Sequence, residues 1–108
     1  MRGKNSIRLR LFNELISYVQ NNINTRSFCD GMYDLFFPDV PIKELSAFEY
    51  AVLSKLAYAC ARFSPYESDI QQCPGAYNSE SQIRSLALQS YDELLKHNCF
   101  KDYYAENE

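Results

Sequence analysis

The chain of 108 residues is long enough for one domain with a single hydrophobic core. Its composition is that of a globular protein, with 46% hydrophobic and 23% charged residues, and the net charge is −3. Residues 1–26 carry five basic groups and one acidic group, whereas residues 27–108 carry six basic and thirteen acidic groups. This acidic bulk argues against direct nucleic-acid binding, which requires a basic face, and favours a basic partner or simply solubility.

The N-terminus is basic and then amphipathic, without the apolar core of a signal peptide, and no run reaches the length of a membrane span. The four cysteines form no CxxC pair, and with one histidine they give no zinc-ligand pattern. We therefore expect a cytoplasmic protein with reduced thiols, no membrane contact, no metal and no cofactor. The cysteines are Cys29, Cys60, Cys73 and Cys99.

The first predicted helix lies near residues 6–21, where apolar residues from Phe12 to Val19 recur at helical spacing. Arg8 and Arg10 are expected on its solvated face, and the NNIN stretch at 21–24 should end it. A shorter helix near 26–36 has a stripe that includes Phe28 and Met32, and Gly31 weakens it by about 1 kcal/mol relative to alanine.

The central helix is predicted near residues 44–63, where Ser46 and Glu49 form a capping box. It is apolar on most sides, which predicts that other elements surround it. A long irregular stretch follows at 64–78, and Ser79 with Gln82 then caps a last helix near 79–97. The prediction is a single all-α domain over 1–108, a small antiparallel four-helix bundle with a long loop before the last helix. Residues 1–5 and 99–108 are expected to be less ordered.

His97 and Cys99 are the one pair that resembles a nucleophile and a base, and no acid at useful spacing orients the histidine. We therefore expect no enzymatic activity and no small-molecule substrate. Asp30 and Asp34 share one helix face, either as a solvated face or as a binding face for a basic partner.

The stretch before the last helix combines tyrosines and carboxylates with turn residues. Aromatic anchors beside carboxylates are typical of an interface with a basic protein, and the alternative is a solvated loop whose rings cover the bundle. The candidate residues are Tyr66, Glu67, Asp69, Tyr77 and Glu80.

Three stretches, MYDLFFPD, LSAFEYAVLSKLAYACARFSP and GAYNSESQIRSLALQSYDEL, together resemble a known family. The chain is similar over residues 7–97 to the colicin-D-type bacterial immunity proteins, including those of contact-dependent growth inhibition systems. The most specific part is an acidic loop, a tyrosine, and an acidic residue before Ile-Arg. Here these residues are Asp69, Tyr77, Glu80, Ile83 and Arg84. The chain departs from the family in its long, cysteine-bearing loop and its extended tail.

The resemblance implies a small helical inhibitor that binds one cognate nuclease toxin, typically a tRNA-cleaving one, in a 1:1 complex. Its acidic surface would cover the toxin's basic RNA-binding cleft. The partner-binding residues would be the five of the loop, with Asp30 and Asp34 secondary. The alternative is a small helical adaptor or regulatory module unrelated to toxins.

Overall fold

The computed structural model describes residues 6–37 and 44–106, and all regular secondary structure in these ranges is helical. The helices are α1 (Ile7–Val19), α2 (Thr25–Phe36), α3 (Ala47–Ala61), α4 (Glu67–Gln72), α5 (Glu80–Lys96) and α6 (Lys101–Glu106). This confirms the all-α prediction. Residues 1–5 lie outside the described ranges. No helix in those ranges combines the length and the apolar character that crossing a bilayer requires.

The four long helices begin at polar capping residues. Ser46 and Ser79 form the two predicted capping boxes, with Glu49 and Gln82 completing them. The hydroxyl of Ser6 accepts a hydrogen bond from the Leu9 amide, and the Asn24 side chain accepts one from the Ser27 amide. These side chains satisfy amide donors that have no partner within the helix, so local sequence fixes the helix starts.

The core lies where α1 and α3 pack against α2 and α5. Its largest fully buried side chains are Tyr18, Phe12, Phe28, Phe36, Phe100, Leu11, Leu15, Met32, Leu53, Leu56, Ile83 and Leu94. The central helix is less enclosed than the sequence predicts, because Ala51, Lys55 and Tyr58 form an exposed stripe along α3. The sequence overestimated how far α3 is enclosed, because alanine and tyrosine were treated as apolar residues. Both residue types are also common at protein surfaces.

The connection between α5 and α6 also belongs to the core. Cys99 and Phe100 are buried, and the Phe100 ring meets the Phe12 ring edge to face at 5.0 Å. The Tyr103 hydroxyl donates to the side-chain oxygen of Asn13 at 2.9 Å. This segment, expected to be less ordered, therefore packs on α1 through aromatic side chains.

Arg8 does not lie on a solvated face. Its Nε donates to Oε1 of Glu49 at 3.0 Å, and its Nη2 donates to Oε2 at 2.9 Å and to the Cys99 carbonyl oxygen at 3.1 Å. The exposed fraction of the side chain is 18% for Arg8 and 7% for Glu49. A forked pair of this kind joins the first turn of α1, the first turn of α3 and the segment after α5.

The surroundings of this ion pair shift the pKa values of Glu49 and Cys99. Burial alone would raise the pKa of Glu49, but the bonds from Arg8 and from the Ser46 amide outweigh it, so this pKa falls below its ordinary 4.5. Burial, with the nearby Glu49 charge, raises the pKa of the Cys99 thiol to about 11. The thiol is therefore protonated beside an ionised carboxylate at neutral pH.

We expect Glu49→Gln to lower the free energy of unfolding by about 3 kcal/mol, because it leaves the half-buried Arg8 charge without its counter-ion. Chemical denaturation measures this change. The control is Asp92→Asn, which breaks the exposed pair with Lys96 and should cost no more than about 0.5 kcal/mol. Equal losses in both variants would contradict the structural role of the buried pair.

The same pair predicts a pH dependence. Folding lowers the pKa of Glu49, so the stability contributed by its ionised form is present above its ordinary 4.5 and is lost as pH falls through the folded-state value. The stability difference between the wild type and Glu49→Gln should therefore shrink between about pH 7 and about pH 3. Denaturation curves across this range test it, and a difference that stays constant would refute the assignment.

Candidate protein-binding surface

Five of the seven predicted site residues lie on or directly after one exposed segment between α3 and α5, here termed the 63–78 loop. Residues 65–68 and 71–77 are all exposed, and α4 forms a short helix within the segment. The sequence predicts an irregular stretch here, and the structure adds this helix. An exposed segment of this size whose ends are held close together resembles the compact surface loops that often carry function.

Hydrogen bonds close the base of the 63–78 loop. The Ser64 amide donates to the Asn78 carbonyl at 3.0 Å, and the Asn78 amide donates to the Arg62 carbonyl at 2.7 Å. The Asn78 side chain donates to the Ala59 carbonyl, which connects the end of the loop to the last turn of α3. The two ends of the loop are therefore joined directly to the helix that carries it.

A second set of contacts supports the turn after α4. The Arg62 guanidinium donates to the carbonyl oxygens of Gly75 and Ala76, both at 3.2 Å. Gly75 has φ +85°, a left-handed conformation that glycine adopts at little cost. These bonds hold the Arg62 guanidinium against the turn, where it keeps its positive charge.

Asp69 forms a hydrogen bond within the loop. The buried Ser64 hydroxyl donates to Asp69 Oδ2 at 2.6 Å and accepts a bond from the Tyr66 amide at 3.2 Å. The first turn of α4 is thus fixed by one serine and one carboxylate. Asp69 is half-buried and also has a structural contact within the loop, while its predicted binding role stays a prediction.

Tyr66, Glu67 and Tyr77 are the predicted residues of the 63–78 loop that are exposed to solvent. The exposed fraction is 62% for Tyr66 and 39% for Tyr77. Glu67 is exposed at the first position of α4, where it accepts a weak bond from Gln71 at 3.3 Å. Within the 63–78 loop, the structure therefore exposes two of the predicted rings and one predicted carboxylate.

Glu80 lies at the first position of α5, is exposed, and takes part in a partly buried hydrogen-bond network. The Thr25 hydroxyl donates to Glu80 at 2.9 Å and accepts a bond from the Tyr18 hydroxyl at 2.8 Å. The Arg84 guanidinium lies 4.2 Å from the centre of the Tyr18 ring, and Ile83 is fully buried. Three residues of the family-like pattern, Glu80, Ile83 and Arg84, are therefore accounted for by packing.

Asp30 and Asp34 are both exposed on α2, but they border different grooves. Asp30 lines a cavity of about 180 Å³ between α2 and α3 together with Phe63, the first residue of the 63–78 loop. Asp34 lines a larger groove between α1 and α2 with Glu14. The structure therefore places Asp30, and not Asp34, beside the loop.

Sequence reasoning missed two exposed rings, Tyr33 on α2 and Tyr58 on α3. A signal was present for Tyr33, because the stripe of Phe28, Met32 and Phe36 leaves position 33 on another side of α2. Tyr58 gave no comparable signal, since its helix is apolar on nearly every side.

The groups considered for catalysis or metal binding have structural partners. The His97 ring packs against Phe48 with 4.0 Å between centroids, and the Cys99 thiol donates to the His97 carbonyl oxygen rather than to its ring. In residues 6–37 and 44–106, no three His, Cys, Asp or Glu side chains converge as metal ligands would. All four cysteines are free thiols, and Cys29 and Cys60 are buried side by side where α2 meets α3.

No family model matches this chain, and comparisons with the curated proteins and with the solved structures give no significant match.

We expect Asn78→Ala to loosen the 63–78 loop, because it removes the side-chain bond to α3. The loss of stability should be about 1 kcal/mol, and amide exchange should accelerate in residues 65–77 before it changes elsewhere. Hydrogen-exchange mass spectrometry measures this. Gln71→Ala, which removes a weak exposed bond within the same loop, is the control and should leave exchange unchanged. Uniform acceleration across all helices would contradict a local role.

Proposed function

We propose that this chain is an immunity protein of the colicin-D type, which binds a cognate nuclease toxin and covers its basic RNA-binding cleft. In this proposal it is a cytoplasmic four-helix antiparallel bundle that acts in a 1:1 complex without catalysis, metal or cofactor. The observation that carries the proposal is the composition of the 63–78 loop together with the first turn of α5. Residues 63–83 contain Glu67, Asp69 and Glu80 but no lysine, arginine or histidine.

The electrostatics of this segment suit a basic partner. Asp69 and Glu80 accept hydrogen bonds from the uncharged hydroxyls of Ser64 and Thr25, which position the carboxylates without neutralising them. Glu67 adds an exposed third carboxylate. A local excess of negative charge accelerates the approach of a basic protein and selects against acidic ones.

The rigidity of the loop also supports binding. The bonds of Arg62, Ser64 and Asn78 hold the backbone before any partner arrives. Ordering a flexible loop at an interface reduces affinity, so a loop fixed in advance avoids part of that cost. Tyr66 and Tyr77 then present large rings that lose little rotamer freedom on burial.

The adaptor alternative has one observation in its favour. Packing inside this chain explains Glu80, Ile83 and Arg84, the part of the sequence pattern closest to the immunity family. A helical adaptor with a fixed acidic loop would satisfy the same contacts. The two functions differ in the partner, which for an immunity protein is the toxin encoded by the neighbouring gene.

The test is purification of this chain with the toxin domain encoded immediately upstream, followed by titration calorimetry. We expect a 1:1 complex with a Kd of about 1 nM or tighter, weakened by salt. Glu67→Lys should weaken binding by about tenfold or more, because it places a positive charge against a basic surface. It should leave thermal stability nearly unchanged, since Glu67 is exposed.

The matched control is Asp92→Lys, which makes the same charge change at an exposed position on α5. A similar loss of affinity in both variants would show a general charge effect and remove the 63–78 loop from the interface. If the wild-type chain does not bind the toxin domain, the immunity function is refuted and the adaptor function is favoured.

A further inference from the structure

Two cysteines meet where α2 packs against α3. Cys29 on α2 and Cys60 in the last turn of α3 are both free thiols, and their exposed fractions are 4% and 5%. The two side chains lie within hydrogen-bonding reach of each other. Neither residue is among the proposed partner-binding residues, so this contact between thiols is independent of the proposed function.

The contact affects the acid–base behaviour of Cys60. The hydrogen bond with Cys29, together with burial, raises the pKa of the Cys60 thiol above its ordinary 9. Cys60 therefore keeps its proton at neutral pH. Because the thiolate is the reactive form of cysteine, Cys29 is the sulfur of this pair that we expect to react first, with Cys60 reacting second.

A cavity connects the two thiols with solvent. Both cysteines line the space of about 180 Å³ between α2 and α3, and the exposed residues Arg26, Asp30 and Ala61 line it too, so the cavity reaches the surface. A water molecule needs only about 15 Å³ of such space. A small oxidant such as hydrogen peroxide can therefore approach the thiols. Because hydrogen peroxide is neutral, the opposite charges of Arg26 and Asp30 do not exclude it.

We propose that Cys29 and Cys60 form an oxidation site that closes to an intrachain disulfide between α2 and α3, with hydrogen peroxide as the oxidant. The Cys29 sulfur attacks one peroxide oxygen, the O–O bond breaks, and the other oxygen leaves with the Cys29 proton as water. The Cys60 sulfur then attacks the resulting sulfenic acid, the S–O bond breaks, and the departing hydroxide takes the Cys60 proton as a second water. Two thiols are oxidised and one peroxide is reduced.

The disulfide connects α2 to the turn of α3 that supports the 63–78 loop. One residue before Cys60, the Ala59 carbonyl accepts a hydrogen bond from the Asn78 side chain. Two residues after Cys60, Arg62 donates to loop carbonyl oxygens. A cross-link at this turn restricts its opening, and a disulfide also limits the conformations of the unfolded chain. Oxidation therefore makes both the fold and the base of the loop harder to open.

The experiment treats the reduced protein with hydrogen peroxide, blocks the remaining thiols and maps disulfides by mass spectrometry after tryptic digestion. Trypsin separates all four cysteines, with Cys29 in residues 27–43 and Cys60 in residues 56–62. We expect these two peptides to be joined in about tenfold excess over any other intrachain pair, because the fold holds their sulfurs together. In guanidinium chloride, where the fold is lost, this preference should disappear.

Thermal unfolding measures the effect of the cross-link on stability. Oxidation should raise Tm by about 10 °C, as expected when a disulfide closes a loop of about 30 residues in a small domain. Dithiothreitol should reverse the rise, and Cys60→Ser should not show it. The matched control is Cys73→Ser, which removes the exposed thiol and should keep both the cross-link and the rise in Tm.

Three results would overturn the proposed oxidation site. The first is that Cys29 and Cys60 remain free thiols after peroxide has consumed the exposed Cys73 thiol. The second is that either cysteine is joined mainly to Cys73 or Cys99. The third is a disulfide between Cys29 and Cys60 that leaves Tm unchanged or lowers it. None of these measurements uses the toxin domain, so their failure is distinct from failure of the proposed function.

Discussion

The forked pair between Arg8 and Glu49 is the interaction on which the arrangement of this chain depends. It joins α1 to α3, and through the Cys99 carbonyl it also holds the segment that leads to α6. Glu49 serves the α3 capping box at the same time, so one carboxylate fixes both the start of the helix and its neighbours. Since α3 is a continuous helix, fixing its first turn also fixes the direction of its last turn, where the 63–78 loop begins.

A second network holds the other end of that loop. Tyr18, Thr25 and Glu80 form a chain of hydrogen bonds from the end of α1, through the start of α2, to the start of α5. The two networks treat their carboxylates differently. Glu49 is buried and neutralised by an arginine, whereas Glu80 is exposed and bonded to an uncharged hydroxyl, so its charge still contributes to the surface. The acidic character of the proposed interface therefore comes from carboxylates that the fold positions without neutralising.

Local signals made the helices predictable, while contacts distant in sequence did not. The capping boxes at Ser46 and Ser79 are short-range patterns, and both are present in the structure. The Arg8–Glu49 pair spans 41 residues, and no periodicity indicates which arginine is drawn out of solvent. The same distinction applies to the candidate site residues. The exposure of Tyr66 and Glu67 follows from their position in a loop. The hydrogen bonds of Asp69 and Glu80 depend on Ser64 and Thr25, which the sequence did not identify as their partners. The exposure of Tyr33 and Tyr58 was missed because tyrosine suits both core and surface.

The proposed function requires that the 63–78 loop binds a basic toxin domain. Hydrogen-exchange mass spectrometry of this chain, alone and with the toxin domain encoded upstream, tests it most directly. We expect protection on binding to be concentrated in residues 65–77, with little change in α6. Protection confined to α5 and α6, with the loop exchanging as in the free protein, would contradict it.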